Sequence, residues 1–205
     1  MIPRKNCTLT VPVSFQVLIL YSLSLLFLIG FWRFVFLVNH ISEIQLKDLN
    51  LYIQSFVVAL RLDAVVVSYL CLPLLLMVFL PYVGCKSKNF RKLFIIYSGI
   101  TFFLYSLISI IDIEFYKELG THLNILVWQT NAYSKEVWQF AWREHPVFFY
   151  IISIFFIVYF WIRLIKRFMP NKNEINNSFF IRTIYFLIGI ITIGTCIRGG
   201  WQERP

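Results

Sequence analysis

The stretch VSFQVLILYSLSLLFLIGFWRFVFLV (13–38) decides the fold class. It carries a single charge, Arg33, and is otherwise broken only by mild polar residues. About 20 residues rising about 1.5 Å each are enough to cross the hydrocarbon of a bilayer. A cleaved secretory signal has an apolar region of only about 7–15 residues, so this run, after the basic start Met1 to Lys5, reads as a retained anchor. Four more runs of the same kind follow at 63–84, 93–111, 146–165 and 180–197. The chain is therefore expected to be an all-α membrane protein, with a transmembrane domain of about five helices over residues 1–197.

Composition agrees. Of 205 residues, 59% are hydrophobic and 14% charged, against roughly 45–50% and roughly 25% in soluble domains. The excess needs lipid, not a larger core. Phe is the commonest aromatic with 22 residues, and the 11 Tyr and 6 Trp favour the membrane–water boundary, which suits a ring with a polar tip.

The net charge of +9 points to topology. Nucleic-acid binding would need basic residues gathered on one soluble face, whereas here they sit in short loops between apolar spans. With the N-terminus in the cytoplasm, the inner segments hold Arg4, Lys5, Lys86, Lys88, Arg91, Lys92, Arg163, Lys166, Arg167, Lys172 and Arg182. The outer segments hold fewer: Lys47, Arg61, Lys117, Lys135, Arg143, Arg198 and Arg204. Basic residues accumulate on the cytoplasmic side, so the expected arrangement is a multi-pass protein of a bacterial-type plasma membrane, with its N-terminus inside and its C-terminus outside.

Two outer segments have helical periodicity. In 112–145, Phe115, Leu119, Leu123 and Leu126 recur between polar residues, and beyond Ser134 the pair Trp138 and Trp142 share a face. Within 40–60, Leu46, Leu49, Ile53, Phe56 and Val57 do the same. Both are expected to be amphipathic interfacial helices in the outer loops.

Motifs for catalysis are missing. The sequence has no HExxH, GxxxxGK[ST], GxSxG or GxGxxG, so neither catalytic residues nor metal ligands are assigned. His40, His122 and His145 are scattered and read as solvated or interfacial, and Cys7, Cys71, Cys85 and Cys196 lack a CxxC spacing and read as unpaired. The spans read as apolar at mid-depth, which argues against a transporter or channel. What remains is a set of charges near the outer boundary: Arg33, Arg61, Asp63, Asp112, Glu114 and Arg198. Two readings stand: anchors and inter-helix salt bridges, or the lining of an outward-facing pocket for an anionic lipid headgroup, where arginine's forked donors suit phosphate. Arg61 and Asp63, two apart, diverge on one helix and each needs another partner.

The strings SFVVALRLDAVVVSYLCLPLLLMVFLP (55–81), IDIEFYKELGTHLNIL (111–126) and IRGGWQERP (197–205) resemble the membrane part of the lipoteichoic-acid-synthase family, phosphoglycerol transferases of the sulfatase and alkaline phosphatase superfamily. The resemblance implies five N-terminal helices followed by a large extracytoplasmic catalytic domain, with 198–205 the start of the junction. It also implies a Thr nucleophile and a divalent metal of manganese type in that following domain, so none of the family's catalytic residues is carried over to this chain. It assigns the membrane domain a supporting role: anchoring, and helping present a lipid-linked donor at Arg61, Asp63, Asp112, Glu114 and Arg198. The chain is accordingly expected to be the membrane module of a phosphoglycerol or phosphoethanolamine transferase, inactive alone, with membrane lipids and the covalently following domain as partners. The alternative is a free-standing small membrane protein: a lipid-binding, assembly or transport subunit.

Overall fold

Lipid offers no hydrogen-bond partner to a peptide group, so a chain this apolar bonds its backbone within helices. A computed structural model of the chain describes residues 13–40, 49–79, 88–122, 147–169 and 179–198. The described residues form five helices and no strand: α1 (Val13–Asn39), α2 (Leu49–Phe79), α3 (Lys88–Leu119), α4 (Val147–Phe168) and α5 (Phe179–Ile197). The protein is an all-α membrane protein. Four of these helices contain stretches long and apolar enough to cross a bilayer: Phe15–Asn39, Ile53–Met77, Arg91–Lys117 and Val147–Phe168. The apolar stretch of α5, Thr183–Ile197, is shorter. At about 1.5 Å per residue the whole of α5 rises about 28 Å, close to the roughly 30 Å hydrocarbon thickness. Large rings stand on the outside of the bundle, with Phe27 78%, Phe149 70% and Phe180 72% exposed, surface that water would penalise and lipid does not.

α1 packs against both α2 and α3, which also touch each other, while α5 lies along α2 and α4 along α3. Side-chain contacts fix the directions. Trp32 meets Ser106 and Phe36 meets Tyr116, so α1 and α3 run the same way. Phe102 stacks on Trp161 at 4.4 Å and Tyr150 bonds to Glu114, so α4 runs opposite to α3. Phe15 lies 5.6 Å from Tyr185, which sets the start of α5 beside the start of α1.

The sequence led us to expect spans that are apolar at mid-depth, but the interior is not wholly so. Tyr21 is fully buried, with the rings of Phe94 and Trp161 both 5.9 Å away. Thr101 spends its own proton on the Ser98 carbonyl at 2.8 Å, so Tyr21 donates to Thr101 Oγ1 at 2.9 Å. Trp32 Nε1 donates to Ser106 Oγ at 3.2 Å. Apolar burial gives no drive to helix association in lipid, so such bonds and close packing hold helices together. Pro73 lies inside α2 and removes the N–H that would reach the Tyr69 carbonyl. From α3, the Tyr97 hydroxyl donates to the adjacent carbonyl of Leu70 at 2.9 Å.

The helix boundaries differ from the sequence reading in an instructive way. The span placed at 63–84 begins as helix at Leu49, and the one placed at 93–111 runs from Lys88 to Leu119. The periodic segments 49–60 and 112–119 are therefore extensions of α2 and α3, continuous with the spans. No Gly or Pro occurs in 49–72 or 100–119, so nothing breaks either helix where its composition turns polar. α3 ends at Gly120, whose φ of 64° lets its N–H bond to the Tyr116 carbonyl at 2.8 Å, a left-handed C-terminal cap. Residues 40–48 beyond His40, the segment with Ser134, Trp138 and Trp142, and residues 80–84 with Pro81 lie outside the described residues, as do Cys7 and Cys85. Cys71 is a buried free thiol and Cys196 a half-buried one.

Gly189 on α5 lets α5 approach α2: a Cβ there would stand 2.8 Å from Leu75 Cδ1, and Leu75 is 1% exposed. Gly194 has nothing within 4 Å. Gly189→Leu is expected to destabilise the detergent-solubilised protein by about 1–3 kcal/mol, the usual cost of overpacking, while Gly194→Leu leaves the thermal midpoint within error; equal midpoints for the two variants would contradict this packing.

Candidate functional site

A lone charge within lipid is costly, about 2.5–3.5 kcal/mol at mid-membrane on insertion scales, and α1 carries Arg33 and α2 the buried Asp63 near the same end of the bundle. They solve it together. Arg33 Nη1 donates to Asp63 Oδ2 at 2.7 Å and Nη2 to Oδ1 at 2.8 Å, the two-pronged geometry that makes arginine–carboxylate pairs strong and directional. Asp63 is 6% exposed, while the Arg33 side chain keeps 28% of its surface open. The guanidinium carbon lies 5.9 Å from the centre of the Phe56 ring on α2, within cation–π range.

Beside this pair is a cleft of about 410 Å³ between α1, α2 and α3. Arg33 and Asp112 give it charge, His122 an imidazole, Ser55, Tyr105 and Ser109 give it hydroxyls, and Ile29, Phe36, Leu37, Phe56 and Ile113 give it apolar walls. Asp112 Oδ2 is 3.0 Å from His122 Nδ1. Arg33, Asp63 and Asp112, all flagged by the sequence, thus gather at one place.

The other three flagged residues do not line it. Asp112 and Glu114, two apart, point to different faces, and Glu114 takes bonds from Tyr150 of α4 and from Lys117 at 2.8 Å. Arg61 is exposed, on a different face of α2 from buried Asp63, and Arg198 is exposed in the turn after α5.

The histidines depart from the sequence reading. His40 is 8% exposed, not solvated, and its Nδ1 donates to the Phe36 carbonyl at 2.9 Å. Its ring stacks on Phe36 at 4.5 Å and meets Tyr116 edge-on at 4.8 Å. His122 contacts the same two rings, at 5.2 Å and 5.0 Å. Two residues taken as scattered therefore flank one aromatic pair, while His145 lies outside the described residues. Two signals were available in the sequence: Phe36 and His40 are four apart, and a Gly directly after a helical run turns the following residues back over the helix end. Among the described residues no group of three or more His, Cys, Asp or Glu is placed to hold a metal ion.

Comparison with protein-family models, curated proteins and solved structures gives no match.

Removing one member of a buried ion pair leaves the other without compensation, at about 3–5 kcal/mol, whereas replacing both by apolar residues is often close to neutral. Asp63→Asn and Arg33→Met are each expected to lower the thermal midpoint in detergent, and the double variant Arg33→Met/Asp63→Leu to lie above both. A double variant below the two singles would show that the pair does not work as a unit.

Proposed function

We propose that this chain is the membrane module of an envelope transferase similar to the lipoteichoic-acid-synthase family, and that its outer cleft receives the headgroup of a lipid-linked donor. The carrying observation is the cleft itself: Arg33 is held rigid by Asp63, next to hydroxyls and apolar walls, at the end of the bundle nearest the membrane surface. Asp63 uses two of the five N–H groups of Arg33, and those not used suit phosphate oxygens. In this reading Arg33 and Asp112 line the headgroup cleft, Asp63 holds Arg33 in place, and Arg61, Glu114 and Arg198 serve as anchors and inter-helix partners.

In this reading α5 is a fifth span, the N-terminus is cytoplasmic and the C-terminus is outside a bacterial-type plasma membrane. Charge supports the orientation. At the end where α1 starts, α3 opens with Arg91 and Lys92, and α4 closes with Arg163, Lys166 and Arg167, with no carboxylate in those turns. The resemblance implies a divalent metal of manganese type; among the described residues no group of three or more His, Cys, Asp or Glu is placed to hold one, and in this reading the metal and the nucleophile would sit in the extracytoplasmic domain that the resemblance implies.

One observation favours the competing reading of a free-standing lipid-binding, assembly or transport subunit: among the described residues, outer polar groups partner one another, Arg33 with Asp63, Lys117 with Glu114 and His122 with Asp112. Such pairs satisfy these groups without any ligand, and Arg33–Asp63 also ties α1 to α2. The coding DNA past the codon for Pro205 separates the two readings. Continuation in frame into a domain with a Thr nucleophile and metal-binding carboxylates and histidines is the expected result; an immediate stop codon in the intact gene would leave the free-standing reading in its place.

Orientation has its own test. In a variant stripped of its native cysteines, a membrane-impermeant maleimide added to intact cells is expected to label Lys117→Cys and to spare Lys166→Cys. Labelling of the second without the first would invert the topology.

A further inference from the structure

At the opposite end of the bundle from the cleft, α4 carries Arg163, Lys166 and Arg167 and has no carboxylate anywhere along its length. Arg163 stands five residues before the end of α4, about 7.5 Å at the helical rise, within the stretch long and apolar enough to cross a bilayer. A Cβ on Gly99 of α3 would lie 3.9 Å from Ile162 Cδ1, so Arg163 is near the level of Gly99. The apolar stretch of α3 begins at Arg91, eight residues and about 12 Å closer to the bundle end. A charge at such depth ordinarily pairs or faces the interior. Arg163 does neither: it is exposed, and no group among the described residues bonds to it or to the exposed Lys166 and Arg167.

The direction these cations face identifies the partner. α4 buries Ile154, Trp161 and Ile165, and at 3.6 residues per turn the three cations fall within an arc of about 100° on the opposite side. Exposed Ile152, Phe156 and Phe160 lie on that same side. The outward face of α4 is thus apolar through the bilayer and cationic at the end where α1 starts, the mirror of a phospholipid with its chains and its phosphate. Arginine's forked donors suit phosphate oxygens, and each basic residue near the surface favours anionic lipid about fivefold. We infer that this face binds an anionic phospholipid of the leaflet at that end, its phosphate held by Arg163, Lys166 and Arg167 and its acyl chains lying against Ile152, Phe156 and Phe160. Selection is by charge, not by the identity of the headgroup. The site is separate from the outer cleft and does not depend on the function proposed for it.

The test uses the full chain in nanodiscs containing equal amounts of phosphatidic acid, phosphatidylserine and phosphatidylcholine, with the lipids retained after release read by native mass spectrometry. Wild type is expected to retain each anionic lipid about tenfold or more over the choline lipid. Arg163→Gln is expected to lower that ratio about fivefold, Arg163→Lys to keep most of it, and the triple variant Arg163→Gln/Lys166→Gln/Arg167→Gln to bring it near one. Should the triple variant fail to fold, Arg163→Gln alone decides. Arg61→Gln/Lys117→Gln/Arg198→Gln removes as many cations from the other end and is expected to leave the ratio unchanged. An equal fall in both triple variants would make retention an effect of net charge and overturn the inference. A ratio near one in wild type, or one unmoved by the α4 variants, would also overturn it. Retention of phosphatidic acid without phosphatidylserine would overturn selection by charge, and displacement by inorganic phosphate at the concentration of the lipid would overturn the lipid source.

Discussion

The bundle turns on the two parallel hydrogen bonds between Arg33 and Asp63. A charge near lipid is stable only with a partner, and a bidentate bond fixes the orientation of both side chains. It therefore sets how α1 and α2 are rotated about their own axes. Below Asp63, Val67, Cys71 and Leu74 recur at intervals of four, four and three and are all 4% exposed or less, so the buried stripe of α2 begins at its carboxylate. On α1, Leu25, Leu28, Ile29 and Trp32 are buried next to Arg33. Packing and electrostatics choose the same faces.

The two ends of the bundle handle charge differently. Where α1 ends, cations and carboxylates meet in pairs, and their cost is offset locally. Where α1 begins, the cations stand without carboxylates in the same turns, as solvated side chains can. Lys166 and Arg167 also sit in the last turn of α4, where the partial negative charge of the helix end favours them. Asymmetry of this kind orients membrane proteins and also leaves one end with a shaped polar site.

The spans were legible because lipid enforces a simple rule: an apolar run of sufficient length has no alternative to a helix. The divergence of Arg61 and Asp63 was legible for a similar reason, being set by helical spacing. The partner of Asp63 was not, since Arg33 lies 30 residues away and periodicity does not say which face meets which. His40 was misread for the same cause: burial under Phe36 and Tyr116 depends on α1 and α3 ending at the same level. Glu114 matched a motif beside Asp112, yet its neighbour in space is Tyr150 of α4, a contact between helices that spacing within one helix does not show.

The extension of α2 explains why a cleft exists at this end at all. Asp63 lies fourteen residues from the start of α2 and Arg33 six from the end of α1. Once the pair aligns them, α2 overshoots α1 by about eight residues, about 12 Å at the helical rise. Had α2 begun where the apolar run begins, at residue 63, the space beside Arg33 would open directly to the membrane surface. Instead Ser55, Phe56 and Ala59 stand opposite Tyr105 and Ser109 of α3 and close its side. Residues that look like a loop helix lying on the membrane thus form a wall of the site, and the ion pair that aligns the helices also positions that wall.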